Sequence, residues 1–165
     1  PPLDREAQDL RKEIEDLIQS VKSLQLATLK TGEQPDISYS PFIWTGDRLY
    51  IFVSELAAHT QNLRDTPRVS ALIIEDESRA KNVFARKRLI LHCSASFIPR
   101  SDPKWLQRLD QFQERQGKTI ELLKSLPDFW LLELSPNTGS YVKGFGQAYQ
   151  LQDMNFHTAL RITGS

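Results

Sequence analysis

The chain has almost no cysteine, no net charge and no long apolar run. Cys93 is its single cysteine, which excludes an internal disulfide. Small secreted domains that need covalent help carry cysteines in even numbers, so this usage points to a reducing compartment. The 21 Lys and Arg are balanced by 21 Asp and Glu. Without excess charge there is no overall field to draw nucleic acid or an anionic membrane, and any electrostatic function must be local. Nothing approaches the roughly 20 apolar residues of a membrane-spanning helix. The opening Pro1-Pro2-Leu3-Asp4-Arg5-Glu6 also lacks the apolar stretch of a secretory signal. These absences leave a soluble, cytoplasmic protein as the expectation, with no nucleic-acid and no membrane partner. At 165 residues one domain is expected, long enough to bury a core.

What is present is a periodicity that changes along the chain. Between Asp4 and Ser23, Ala7, Leu10, Ile14, Leu17, Ile18 and Val21 recur at helical spacing with charges on the other face, which predicts a surface helix lying on a core. Leu24 to Leu29, Pro35 to Trp44 and Leu49 to Ser54 read as strands separated by turns at Thr31-Gly32-Glu33 and Thr45-Gly46-Asp47. Glu55 to Arg64 predicts a short helix stopped before Pro67. Val69 to Ile74 and Arg88 to Ile98 read as further strands. Asp102-Pro103-Lys104-Trp105 is a helix start with proline in its first turn, and Thr119 to Leu126 is another helical stretch. Phe129 to Leu134 and Ser140 to Phe145 read as a closing pair of strands around a turn at Ser135-Pro136-Asn137-Thr138-Gly139. Six or seven short strands with inserted helices predict a mainly β, α+β domain, a Greek-key barrel with helices at its rim. The expected organisation is a helix over 1–23, a barrel over 24–149 and a tail over 150–165.

Arg86, Lys87 and Arg88 lie together between Phe84 and Leu89. A planar ligand with anionic groups at one edge needs clustered cations at one rim and apolar walls elsewhere, and this segment offers both. In a strand, Arg86 and Arg88 point to one face and Lys87 to the other, so the two arginines can converge on one anion. The same charges also suit a protected edge strand. His92, between Leu91 and Cys93, reads as structural or surface-exposed. Asp128, after Pro127, has the residue type of a turn or cap. Gly144-Phe145-Gly146 lacks the third glycine and following helix of a dinucleotide fingerprint, and marks a bulge or close backbone approach.

Leu24-Gln25-Leu26-Ala27-Thr28-Leu29, Ser38-Tyr39-Ser40-Pro41-Phe42 and the stretch from Ser54 to Leu63 resemble the opening of the FMN-binding split barrels of the pyridoxamine-phosphate-oxidase-like superfamily. Ile74-Glu75-Asp76-Glu77, Phe84-Ala85-Arg86-Lys87-Arg88-Leu89 and Val142-Lys143-Gly144-Phe145-Gly146-Gln147-Ala148-Tyr149 are similar, more narrowly, to its HugZ/HutZ branch of haem-utilisation and haem-degrading proteins. The similarity runs from about Leu24 to Tyr149. It implies a split-barrel homodimer with its cofactor sites at the subunit interface. It also implies haem as ligand and an oxidative, haem oxygenase-like opening of the porphyrin that releases iron, with an electron-donor protein as a further partner.

Within that resemblance, Arg86, Lys87 and Arg88 anchor anionic groups, and Arg88 also acts in catalysis. Asp128 matches the carboxylate that bonds the axial histidine, a role that fixes a metal-bound imidazole and raises its basicity. The branch carries its iron-ligating histidine in a C-terminal loop, which is expected beyond Ser165; His157 is the tail histidine available as a substitute metal ligand. The wider superfamily implies an alternative, an FMN-dependent oxidoreductase with Ser54, His59, Thr60, Arg86 and Lys87 around the flavin phosphate. At Ser54, His59 and Thr60 the bland reading is a capping serine and a histidine packed at the barrel rim. A non-enzymatic haem carrier or storage dimer would share every binding residue with the degrading enzyme.

Overall fold

The computed structural model describes residues 5–152 and the backbone of 159–162. Helix α1 (Arg5–Ser20) buries Leu10, Ile14, Leu17 and Ile18, the stripe its spacing dictates. Strand β1 (Ser23–Leu29) alternates strictly, with Leu24, Leu26 and Thr28 inside and Ser23, Gln25 and Ala27 outside. The following strands are β2 (Pro35–Trp44), β3 (Leu49–Ser54), β4 (Arg68–Ile74), β5 (Arg88–Ile98) and β6 (Phe129–Gly144). All pair antiparallel in the order β3-β2-β1-β4-β5-β6, and β6 returns to β3, which closes a six-stranded barrel.

Helix α2 (Ala58–Asp65) lies between β3 and β4 in the chain and is shorter than the sequence predicts. Residues 55–57 are taken instead by a tight turn in which the Leu56 and Ala57 amides donate to Ser54 Oγ and O at 3.1 Å each. Helix α3 (Pro103–Gln116) begins as its sequence dictates, with the Asp102 carboxylate accepting the Lys104 amide at 2.9 Å and proline in the first turn. With α4 (Thr119–Leu123) it builds a second core on the outer side of the barrel, where Trp105, Leu109, Phe112 and Ile120 meet Ile43, Tyr50, Phe52 and Leu131.

One expected turn is absent. Ser135 to Gly139 does not reverse the chain; β6 runs unbroken for 16 residues. Its register against β5 steps from Cys93 opposite Pro136 to His92 opposite Thr138, which leaves Asn137 as the extra residue of a β-bulge. Proline cannot donate to a ladder and is tolerated at such a bulge, so turn-type residues here bend the strand instead of folding it back. The reversal comes later, at Phe145-Gly146, where Gly146 takes a left-handed φ of 64° and Gly144 pairs with Gln147. From there β7 (Gln147–Leu151) pairs with the second half of β6, and β8 (Ala159–Ile162) pairs with β7, so the segment expected as a tail adds a strand.

Gly139 pairs with Leu91 on β5. A Cβ at this position would collide with the Ile90 carbonyl oxygen and lie 3.0 Å from Leu91 Cδ2. Backbone cannot yield as a side-chain tip does, so Gly139→Ala is expected to destabilise the barrel by about 1–3 kcal/mol, read as a lower urea midpoint at unchanged slope.

Candidate functional site

The basic segment does not begin inside a strand. A 3-10 turn over Val83–Ala85, capped by the Asn82 side chain on the Phe84 amide at 2.9 Å, delays β5 until Arg88. Arg86 therefore turns back: its Nε and Nη2 donate to the Glu75 carbonyl at 3.1 and 2.6 Å. Lys87 lines a cavity of about 210 Å³ with Glu13, Asp16, Glu75, Asp76 and Arg79. The expected convergence of Arg86 and Arg88 as alternate strand residues is thus not found, and Lys87 stands at a cavity rimmed by four carboxylates.

Arg88 is different. It is half-buried and donates from Nη1 to the Arg86 carbonyl at 3.0 Å, and no carboxylate among the described residues pairs with it. Its cross-strand neighbours on the outer face are Ile74 and Val142. Phe84 and Phe145, on the loops at this end of the barrel, are 83% and 68% exposed. A guanidinium without a carboxylate partner among the described residues, on an apolar sheet face with two projecting aromatics, has the chemistry to receive the acidic edge of a flat ligand.

That outer face continues across the sheet in two rows: Tyr39, Gln25, Leu72 and Ile90, then Ile37, Ala27, Ser70 and His92. Ile37 and Tyr39 are 80% and 69% exposed. The alternation of β2 is inverted, with Asp36, Ser38 and Ser40 turned inward. The reason lies on α2: Asn62 Nδ2 donates to Asp36 Oδ2 and to Thr28 Oγ1 at 3.0 Å each, and His59 Nδ1 lies 2.8 Å from Ser38 Oγ. His92 Nδ1 is 2.8 Å from Ser70 Oγ on this same face.

Asp128 is at the other end of the barrel. Ten residue steps of β5, about 33 Å along the strand, separate Arg88 from Ile98, which pairs with Leu131 just beyond Asp128. The Asp128 carbonyl accepts the Glu55 amide at 2.7 Å, while its half-buried carboxylate has no donor among the described residues. Leu56, on the turn beside it, is fully in solvent. An acceptor held on a fixed backbone without a partner among the described residues is suited to a donor that arrives from elsewhere.

Ser54, His59 and Thr60 lie near this end, and all three side chains are engaged internally, His59 through the Ser38 hydroxyl. Thr60 is completely buried and donates to the Ser54 carbonyl at 2.6 Å; Ser54 Oγ accepts the Leu56 amide. As ligands for a flavin phosphate, Thr60 is therefore out of reach and Ser54 is committed to its turn. Burial pushes the His59 imidazole below its ordinary pKa, with the Asp36 carboxylate acting in the opposite direction. The unfolded chain then binds a proton at pH values where the folded one resists it, so stability falls as pH drops below about 6.5. His59→Gln is expected to flatten that limb when urea midpoints are followed from pH 7.5 to about 5.

His157 lies outside the described residues. Among the described residues no group of His, Cys, Asp and Glu side chains is arranged to hold a metal ion, and no helix is long and apolar enough to cross a membrane. Sequence reasoning missed the outward Ile37 and Tyr39, although their alternation with Asp36, Ser38 and Ser40 is visible in the sequence. It also missed Arg100, whose partners are backbone carbonyls.

A model of the pyridoxamine 5'-phosphate oxidase family matches residues 10–143. Over 142 residues, covering 86% of this chain and 81% of the relative, the sequence is 44% identical to the heme oxygenase HutZ of Vibrio cholerae. The crystal structure of HutZ, described as a heme storage protein from Vibrio cholerae, superposes with a TM-score of 0.74 at 36% identity, over 87% of this chain and 96% of that one. Campylobacter jejuni ChuZ superposes with a TM-score of 0.85 at 33% identity, over 94% of this chain and 63% of that longer one. A six-stranded barrel of this connectivity, matched over most of its length in both sequence and structure, places the chain in the pyridoxamine 5'-phosphate oxidase-like split-barrel family, within its HutZ branch.

Proposed function

We propose that the protein binds haem between the two subunits of a homodimer and opens it oxidatively, releasing iron. The observation that carries this reading is the pair of incomplete sites at opposite ends of one barrel. Among the described residues Arg88 is a cation without a carboxylate and Asp128 a carboxylate without a donor, and about 33 Å of strand lies between them. A two-fold dimer formed through the exposed Ile37–Tyr39 face, with its axis perpendicular to the strands, would bring the Arg88 end of one barrel towards the Asp128 end of its partner.

In that arrangement Arg88 would neutralise a propionate, and Ile74, Val142, Phe84 and Phe145 would cover the ring and exclude water. Asp128 would accept the free N–H of an iron-bound imidazole and hold its orientation. Haem itself supplies the iron and porphyrin chemistry when bound. The flavin alternative has less support, because Thr60 is buried and Ser54 is held in its turn.

Haemin added to the natural full-length protein, followed by ascorbate, tests the proposal. The expected result is loss of the Soret band with growth of a bilin absorption and of chelatable iron. Haem that survives repeated reduction unchanged would identify a storage or carrier dimer instead. Protein purified yellow with stoichiometric FMN would favour the flavin oxidoreductase.

A further inference from the structure

Arg100 is an exposed arginine between β5 and α3, and its guanidinium is used in an unusual way. One nitrogen, Nη2, donates to the carbonyls of Leu126, Pro127 and Phe129 at 3.1, 3.2 and 2.8 Å. The guanidinium carbon also lies 4.6 Å from the Trp105 ring centre and 5.4 Å from that of Trp130. Two aromatic faces and three carbonyl dipoles thus hold one cation, and it makes no ion pair with a carboxylate among the described residues.

The three carbonyls bracket a single residue. Asp128 is the one position from Leu126 to Phe129 whose carbonyl is bonded by the Glu55 amide, at 2.7 Å, and not by Arg100. Every backbone acceptor from 126 to 129 is therefore anchored, from α3's side by Arg100 and from the β3–α2 turn by Glu55. Among the described residues nothing donates to the Asp128 carboxylate. Glu55 is in turn held by Arg64 at 2.6 Å and Gln61 at 2.7 Å, so the second anchor is itself fixed.

We propose that Arg100 is a positioning residue for haem degradation: by gripping the carbonyls on both sides of Asp128, it sets the direction of that carboxylate towards the axial imidazole. This rests on the reading of Asp128 given above. A carboxylate that accepts an imidazole N–H raises the basicity of the ring and strengthens its bond to iron. Small errors of placement at such a contact weaken it steeply, because hydrogen bonds demand near-linear geometry.

The test is resonance Raman measurement of the iron–imidazole stretch in the ferrous haem complex of the natural full-length protein. Asp128→Asn, which removes the accepting charge, sets the reference and should lower the frequency. Arg100→Met, which keeps side-chain volume but removes donors and charge, should reproduce most of that fall. The double variant should fall little further than Asp128→Asn alone, since the two act through one contact. Arg100→Gln, which retains an amide donor, serves in its place if Arg100→Met does not fold. A folded, haem-loaded Arg100 variant with the parent frequency overturns the inference, even if its melting temperature drops, and leaves the reading of Asp128 standing. An unchanged frequency in Asp128→Asn overturns that reading and the role of Arg100 with it.

Discussion

Asp128→Asn is expected to slow haem consumption by the natural full-length protein about 10–100-fold, the usual cost of losing the group that orients a metal-bound imidazole. The substitution preserves shape and removes charge. It leaves the Asp128 carbonyl on the Glu55 amide and the neighbouring carbonyls on Arg100. No hydrogen bond or ion pair among the described residues is lost from the side chain itself, so stability should stay within about 0.5 kcal/mol of the parent. A large rate loss at nearly constant stability would separate a role at the haem from a role in the fold. Single-turnover bleaching under ascorbate with saturating haemin is the appropriate measurement, and a parent-like rate there would reject the assignment of Asp128.

The second large effect is expected on the outer sheet face. Ile37→Glu combined with Tyr39→Glu should leave the barrel folded, because both side chains project from it at 80% and 69% exposure. In a two-fold dimer, however, each new carboxylate would face an apolar surface and lie near its own symmetry copy, and like charges brought together in this way cost several kcal/mol. The dimer dissociation constant should rise at least about 100-fold, equivalent to ~2.8 kcal/mol. Haem affinity should fall in step, because a lone barrel carries Arg88 and Asp128 too far apart to serve one ring. Light scattering and haemin titration on the same sample decide the matter. A double variant that remains dimeric, or a monomer that binds haem as tightly as the parent, would remove the outer face from the site.

Local chemistry made much of this architecture legible before any coordinates. The apolar stripe from Leu10 to Ile18 and the Asp102-Pro103 start of α3 declare themselves because a helix is decided by neighbours three or four residues away. The passage from Ser135 to Gly139 misleads because its residues favour turns and only the long partner strand β5 keeps them extended. That partner is some forty residues distant in sequence and exerts its effect through register. Arg86 misleads for a related reason: strand alternation applies only from Arg88, because the Asn82-capped turn over Val83–Ala85 delays β5 and leaves Arg86 and Lys87 outside it.

The site was legible in residue type more than in geometry. Arg88 and Asp128 are conspicuous as residues, but nothing in their spacing reveals that they occupy opposite ends of one barrel. Arg100 was invisible because backbone oxygens, its partners 26–29 residues further on, have no letter in a sequence.

The unbroken course of β6 links these ends mechanically. Asp128 immediately precedes its first residue, and Val142, beside Arg88, lies near its last. The strand is therefore a ruler laid between the two places where a cofactor would be gripped. The bulge at Asn137 is the graduation that sets its length and bend: one residue fewer would turn every side chain beyond it to the opposite face. In the proposed two-fold dimer, the fit between barrels would thus be measured out within each chain before the second one arrives.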